Sequence, residues 1–264
     1  MKQISSSQNP VFKNLRTLAT SAKARREQNQ TILEGIHLAD AYLQNGGQPV
    51  SCVIGYTAHN NPEVFAIADR LEQLGVPVMV MSDSQVNTLG GVENGVGLVL
   101  VIEQPKAEAP ATLDHSALLL DNVQDPGNVG AILRTAAAAG VTSVYCSGQT
   151  AAVWSPKVLR AGMGAHFAVK VYENSDLAAL IKNASVPVYA TSLEATQTIY
   201  ELDLSQASAW IVGNEGQGVS RELLNLAVKK VIIPQAVGVE SLNVAAATAV
   251  CLFEQRRQSE ILGV

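Results

Sequence analysis

Three polar segments hold the residues best suited to chemistry. The first is Asp125-Pro126-Gly127-Asn128, followed six residues after Asn128 by Arg134. Arg134 is the lone charge on a helix that otherwise reads Gly130-Ala131-Ile132-Leu133 and then Thr135 and four alanines, so it is suited to meet an anion or a substrate. The second is Gly213-Asn214-Glu215-Gly216-Gln217-Gly218, where a carboxylate within a glycine loop suits a cation or a sugar hydroxyl better than a pyrophosphate. The third runs from Ile232-Ile233-Pro234-Gln235 through Gly238-Val239-Glu240-Ser241-Leu242-Asn243 into a helix of small residues. Ordinary helix capping accounts for Asn128 and Ser241 on the simplest reading. As a hydrolase nucleophile Ser241 lacks both a strained elbow and a placed histidine. The glycine loop has the order G-x-x-G-x-G rather than G-x-G-x-x-G, and no Walker sequence is present, so a dinucleotide or P-loop fold is poorly supported. His37, His59, His115 and His166 are scattered without metal-ligand spacing, and no metal is expected.

Each of these segments must be held by a strand before it and a helix after it, at the carboxyl end of an open α/β sheet where ligands bind. Apolar runs predict strands near 117–122, 142–146, 167–172, 187–192, 208–213 and 228–233. Helices are expected to begin near Val129, Ser155, Asp176, Val219 and Leu242. This alternation implies a mostly parallel sheet with helices on both faces. Upstream, strands at 31–33, 50–54, 76–81 and 97–102 alternate with helices at 36–43 and 62–74 and a short one capped by Ser82-Asp83, a small α/β unit. The aperiodic, proline-containing stretch 103–112 reads as a linker. The expected division is therefore 1–105, a linker at 106–115, and 116–264.

Hydrophobic residues make up 47% and charged residues only 16% of the 264, which describes a compact globular chain with no run long enough to span a membrane. No secretory signal is visible at the N-terminus. Cys52, Cys146 and Cys251 are odd in number and set in apolar sequence, as suits reduced core thiols in a cytoplasm. The net charge of −5 argues against a protein that coats nucleic acid nonspecifically. Yet residues 1–30 carry Lys2, Lys13, Arg16, Lys23, Arg25 and Arg26 against Glu27 alone, a local balance of +5. This basic arm reads either as a solvated, partly helical tail or as a phosphate-contacting element.

In order and spacing, the three segments resemble the signature motifs of the SpoU/TrmH class of SPOUT RNA methyltransferases. Asp125-x-x-Asn128-x-Gly130 with Arg134-Thr135 is similar to the first, Gly213-x-Glu215-x-x-Gly218 to the second, and Ile233-Pro234 with Ser241-Leu242-Asn243-Val244 to the third. The N-terminal half is similar to the family's RNA-binding extension, with Ser7-Gln8-Asn9-Pro10, Glu34-Gly35 and Asn94-Gly95-Val96-Gly97 at family-like places. The resemblance implies a deep trefoil knot in the C-terminal α/β domain, a homodimer, and S-adenosylmethionine held largely by main-chain groups. It assigns Gly213, Ile233 and Leu242 to the cofactor, with Leu193 and Gln235 nearby, and Asn128, Arg134, Glu215, Ser241 and Asn243 to catalysis and substrate orientation. Lys13, Arg16, Lys23, Arg25 and Arg26 become the RNA contacts. Two positions depart from the usual motif: Gln235 where many members carry Met, and Ala245 where many carry Ser.

The implied reaction is methylation of a ribose 2′-hydroxyl in structured RNA, ribosomal RNA ahead of transfer RNA, in the cytoplasm and without metal or membrane. An in-line displacement of this kind asks chiefly for alignment and a path for one proton. The rival readings are a non-catalytic RNA-binding module of the same fold, which would have lost one of Asn128, Arg134, Glu215 or Asn243, and a nucleotide-dependent oxidoreductase or hydrolase, whose fingerprints are missing.

Overall fold

The computed structural model describes residues 1–91, 95–238 and 240–261. Asn94 and Val239, named above within motifs, lie outside the described residues. Two compact units are present: Met1–Pro105 together with Trp154–Phe167, and Lys106–Val153 together with Ala168–Val264.

In the first unit the strands are β1 (Lys2–Ile4), β2 (Gln30–Glu34), β3 (Ser51–Gly55), β4 (Val78–Met81) and β5 (Leu98–Glu103), in sheet order β1-β4-β3-β5-β2. β1, β4 and β3 run parallel, and β5 joins β3 and β2 antiparallel. The helices are α1 (Pro10–Thr20), α2 (Ala22–Gln28), α3 (Ile36–Gln44), α4 (Pro62–Gln73) and α5 (Asp83–Leu89). The basic arm is no loose tail. Asn9 and Ser21 cap α1 and α2, and Phe12, Leu15 and Leu18 line one face of α1 and enter the core with Ile32, Val53, Met79 and Met81. The predicted capping of the short helix is present as a full capping box between Ser82 and Gln85.

The segment Trp154–Phe167 departs from the expected 116–264 division by grouping with this unit. Its helix (Pro156–Gly162) packs against β2 through named bonds. Thr31 Oγ1 donates to the Trp154 carbonyl at 2.7 Å, and Arg160 Nη1 to Glu34 Oε2 at 3.1 Å. Trp154 and Tyr42 both set their rings against Phe167. Nothing in a linear reading of strand and helix periods signals such a return, because it is written in long-range partners.

The second unit holds β6 (Ala117–Asp121), β7 (Ser143–Cys146), β8 (Lys170–Tyr172), β9 (Val188–Thr191), β10 (Ala209–Gly213) and β11 (Lys229–Val231) in the order β11-β9-β10-β6-β7-β8, every pair parallel. Leu118, Leu119 and Leu120 are all fully buried, as a strand covered on both faces requires. Numbering the helix Pro156–Gly162 as α7, those of this unit are α6 (Pro126–Ala139), α8 (Leu177–Lys182), α9 (Arg221–Leu226) and α10 (Val244–Ile261). α10 is anchored at its centre by one buried glutamine: Gln255 Oε1 accepts from Trp210 Nε1 at 2.7 Å, and Gln255 Nε2 donates to Ser116 Oγ at 3.1 Å. Further along, Arg256 Nη1 donates to the carbonyl of Ala138 near the end of α6 at 2.6 Å, where the terminal carbonyls of a helix are left free. Among the described residues no helix is long and apolar enough to cross a membrane.

Candidate active site

From β6 the sheet grows outward through β7 and β8, then resumes on the other side of β6 with β10, β9 and β11. The reversal falls between β6 and β10, where Asp121 and Gly213 stand in register as the last residues of their strands. A crevice at the carboxyl ends of strands flanking such a reversal is where open α/β sheets bind ligands.

The loop leaving β6 is shaped by Asn122, which takes a left-handed φ of 57°. Asp125 then caps α6, its Oδ1 accepting the Asn128 backbone N–H at 2.8 Å. The simplest sequence reading put Asn128 at this cap. Pro126 occupies the first helical turn, which moves the cap back to Asp125 and releases the Asn128 side chain for other work. From β10 the chain turns tightly: Asn214 and Gly218 exchange backbone hydrogen bonds, and a Cβ added to Gly213 would lie 2.1 Å from the Gly218 carbonyl carbon. Position 213 therefore admits glycine alone. Buried Asp121 ties the two loops together by accepting the Ser220 N–H at 2.7 Å, and Asn214 Nδ2 donates to the Asn122 carbonyl at 2.9 Å.

Glu215 is thereby delivered to the entrance of α6. Its Oε1 accepts from Asn128 Nδ2 at 3.0 Å and from the Asp125 N–H at 3.1 Å, and its Oε2 from the Gln124 N–H at 3.2 Å. Burial alone disfavours its charge, but hydrogen bonds led by the Asn128 amide outweigh that and hold the carboxyl below the usual carboxylate range. Asn128 Oδ1 in turn accepts from Asn243 Nδ2 at 2.9 Å. Asn243 caps α10, its Oδ1 accepting the N–H groups of Ala245 and Ala246 at 2.9 and 3.3 Å. That cap starts α10 at Val244, two residues later than the Leu242 start expected from the apolar pattern. One line of side chains, Asn243 to Asn128 to Glu215, thus joins all three segments.

Arg134 lies two turns into α6, exposed, with no ion pair among the described residues. Ser241 is also exposed and makes no side-chain hydrogen bond there, so the capping role that the simplest reading gave it belongs to Asn243. Of the residues assigned to the cofactor, Gly213 and Ile233 are buried, while Leu193 and Leu242 are 59% and 38% exposed at the same end of the sheet. The loops after β9 and β11 are laced together by backbone bonds from Ile232 to Gln197 and from Ile199 to Ile232. The Oε1 atom of Gln235 is buried without a partner among the described residues. An orphaned acceptor after β11 and part-exposed leucines in the loops that follow β9 and β11 fit a ligand carrying both amine and apolar parts.

In the basic arm, Lys13, Arg16, Lys23 and Arg26 are exposed, but Arg25 is not. Only 6% of Arg25 is accessible, and its Nη1 donates to the carbonyls of Leu18 and Ala19 at the end of α1. Its place among the RNA contacts is therefore corrected: Arg25 locks α2 onto α1. A charge count could not separate it from its neighbours. Among the described residues no cluster of three or more histidine, cysteine, aspartate or glutamate residues is placed to hold a metal.

An all-parallel, doubly wound domain whose switch-point crevice is closed by amides and a carboxylate, with no phosphate-cradling glycine loop, defines a class apart from the dinucleotide-binding folds. The chain belongs to the SpoU rRNA methylase family, whose model matches residues 115–253. It is 37% identical over 97% of its length to a Synechocystis sp. protein described as an uncharacterized tRNA/rRNA methyltransferase, covering 93% of that protein. It is 33% identical to the Bacillus subtilis 23S rRNA (guanosine(2553)-2′-O)-methyltransferase RlmP, over 97% of this chain and all of that one. Among solved structures, the AdoMet-bound rRNA methyltransferase from Sinorhizobium meliloti superposes with a TM-score of 0.85 at 31% identity, covering 97% of each chain.

Proposed function

We propose that this protein transfers a methyl group from S-adenosylmethionine to a ribose 2′-hydroxyl of structured RNA, ribosomal RNA in particular. The observation that carries the reading is the Asn243–Asn128–Glu215 line, which gathers the three motif segments at the switch point of the sheet. Bound S-adenosylmethionine supplies an electrophilic methyl group on a positively charged sulfur. Gly213, Ile233, Leu242, Leu193 and Gln235 are the residues to hold it, Gln235 by giving its buried Oε1 a donor. Glu215, anionic at neutral pH, fixes the loop and the Asn128 amide beside it.

Arg134 is the group for the substrate, since its fork is exposed and free of protein partners among the described residues. It grips the phosphate and hydroxyl of the reacting nucleotide, with a phosphate oxygen or a water taking the proton. A guanidinium presents N–H donors and no acceptor, so Arg134 is the grip on the substrate rather than the group that takes the proton. Ser241 and Asn243 complete the substrate-orienting set.

Lys13, Arg16, Lys23 and Arg26 supply RNA affinity from the first unit, acting as its substrate-binding domain. The same reading brings with it the deep trefoil knot, a homodimer, and a cytoplasmic setting that suits three buried, unpaired cysteines. Dimerisation is supported by Phe253, 46% exposed on α10 one turn beyond the small residues Ala249 and Val250. Two experiments test the whole. Calorimetry should show binding of S-adenosylmethionine but not of NAD or ATP. Mass-spectrometric mapping should find one 2′-O-methyl group missing from the RNA of a deletion strain, and an unchanged map with no cofactor binding would overturn the reading.

A further inference from the structure

A cavity of about 320 Å³ opens within the first unit, lined in part by Arg25, Lys157, Arg160 and the hydroxyl residues Thr20, Thr88 and Ser155. It is larger than a single phosphate needs and sits at the lower end of the range for small-ligand pockets, about 300 to 1,000 Å³. Every charged residue lining it, among those described, is a cation, in a chain whose net charge is −5.

Arg160 is built into place. Its Nη1 donates to Glu34 Oε2 at 3.1 Å, and the same oxygen accepts the Gly91 N–H at 3.0 Å. A Cβ at Gly91 would come within 2.3 Å of Arg160 Nη2, and one at Gly90 within 2.2 Å of Glu34 Oε1. The two glycines form a seat on which the ion pair lies flat. Glu34 thereby fixes one edge of the guanidinium, and the other N–H groups have no protein partner among the described residues. Lys157 adds an exposed ammonium with no ion pair among the described residues. Arg25 contributes positive potential while anchored to the carbonyls of Leu18 and Ala19. A fixed arginine fork, an exposed ammonium and three hydroxyl residues around a space of this size match a phosphate with its attached sugar.

We infer that this cavity receives one unpaired nucleotide of the substrate RNA, its phosphate held by Arg160 and Lys157. The inference rests on the RNA-methyltransferase reading for the identity of the polymer, and on the cavity alone for the chemistry. It gives Glu34-Gly35 a purpose that the motif reading left unassigned: Glu34 is a positioning residue for Arg160. It also makes the return of Trp154–Phe167 to the first unit functional, since that segment brings both Lys157 and Arg160.

The test is lysine footprinting on the full-length protein with an amine acetylating reagent, read by mass spectrometry with Lys182 as internal reference. Ribosomal RNA should protect Lys157, whereas inorganic phosphate or adenosine 5′-monophosphate at equal phosphate concentration should not. In parallel, Lys157→Ala should weaken RNA binding about tenfold and lower the slope of log affinity against log salt by about one, with Lys157→Arg restoring both. S-adenosylmethionine affinity should stay unchanged in each variant. Equal labelling of Lys157 with and without RNA, an unchanged salt slope, or equal protection by free phosphate would overturn the inference. A wild-type protein that transfers no methyl group would count against the methyltransferase reading instead. The footprint needs no turnover and decides the cavity in either case.

Discussion

The amide of Asn128 and the carboxylate of Glu215, 87 positions apart in the chain, meet at 3.0 Å across the mouth of the parallel sheet. Each is held from behind, Asn128 by Asn243 and Glu215 by the N–H groups of Gln124 and Asp125. Glu215→Ala removes the acceptor for all three donors at once and frees the β10 loop from α6. Methyl transfer in single turnover should fall on the order of 10² or more, the scale for losing a positioned electrostatic contact. Asn128→Ala should behave alike, because either change cuts the same line. Wild-type turnover in both would show that the line is structural only.

Because hydrogen bonding holds the Glu215 carboxyl below its ordinary range, the ionised form favours the folded state. That contribution is fully present above the ordinary carboxylate value and is lost as pH falls through the lower, folded value. Urea midpoints of wild type and Glu215→Gln should therefore differ at neutral pH and converge in acid. A gap independent of pH would remove ionisation from the explanation.

Arg134 makes no ion pair among the described residues and stands exposed, so its loss should cost the fold little, within about 0.5 kcal/mol. Turnover of Arg134→Ala should nevertheless drop on the order of 10² with S-adenosylmethionine still bound, and Arg134→Lys should recover little because an ammonium lacks the planar fork. Near-normal transfer by Arg134→Ala would exclude this residue from the active site.

All three cysteines are buried, and burial pushes the Cys52 thiol up to about 12 and those of Cys146 and Cys251 still higher. None should react with Ellman's reagent at pH 8 until the protein unfolds. Release of a thiol from the native protein would mark a local opening of the corresponding strand or helix.

Sedimentation should report about twice the 27.8 kDa chain mass, and Phe253→Glu should shift it toward the monomer. A Phe253→Glu protein that stays dimeric would place the interface elsewhere.

The central strands of the second sheet could be read from apolar runs because they are parallel and buried on both faces, as Leu118 to Leu120 illustrate. β1 escaped notice: it has three residues, two of them exposed, and exists only through its pairing with Met79–Met81. The site residues were legible as motif letters, but their division of labour was not. Asp125 rather than Asn128 caps α6, and Asn243 rather than Ser241 caps α10, because a cap is chosen by backbone geometry that residue type only narrows. A sum of charges carries no direction, so it does not separate buried Arg25 from the exposed cations around it. Glu34 and Arg160, 126 positions apart, are joined by a contact that no local pattern encodes.

The attachment of Trp154–Phe167 to the first unit also orders events during synthesis. β2 leaves the ribosome early, yet its partners Trp154 and Arg160 follow more than 120 residues later. The nascent N-terminal half must therefore wait with one flank uncovered while the Lys106–Val153 part of the second unit is translated. For the same reason a single cut near residue 105 does not release a finished module, and a genetic exchange of the first unit between relatives needs two crossovers, one on each side of residues 154–167, besides the one at the linker.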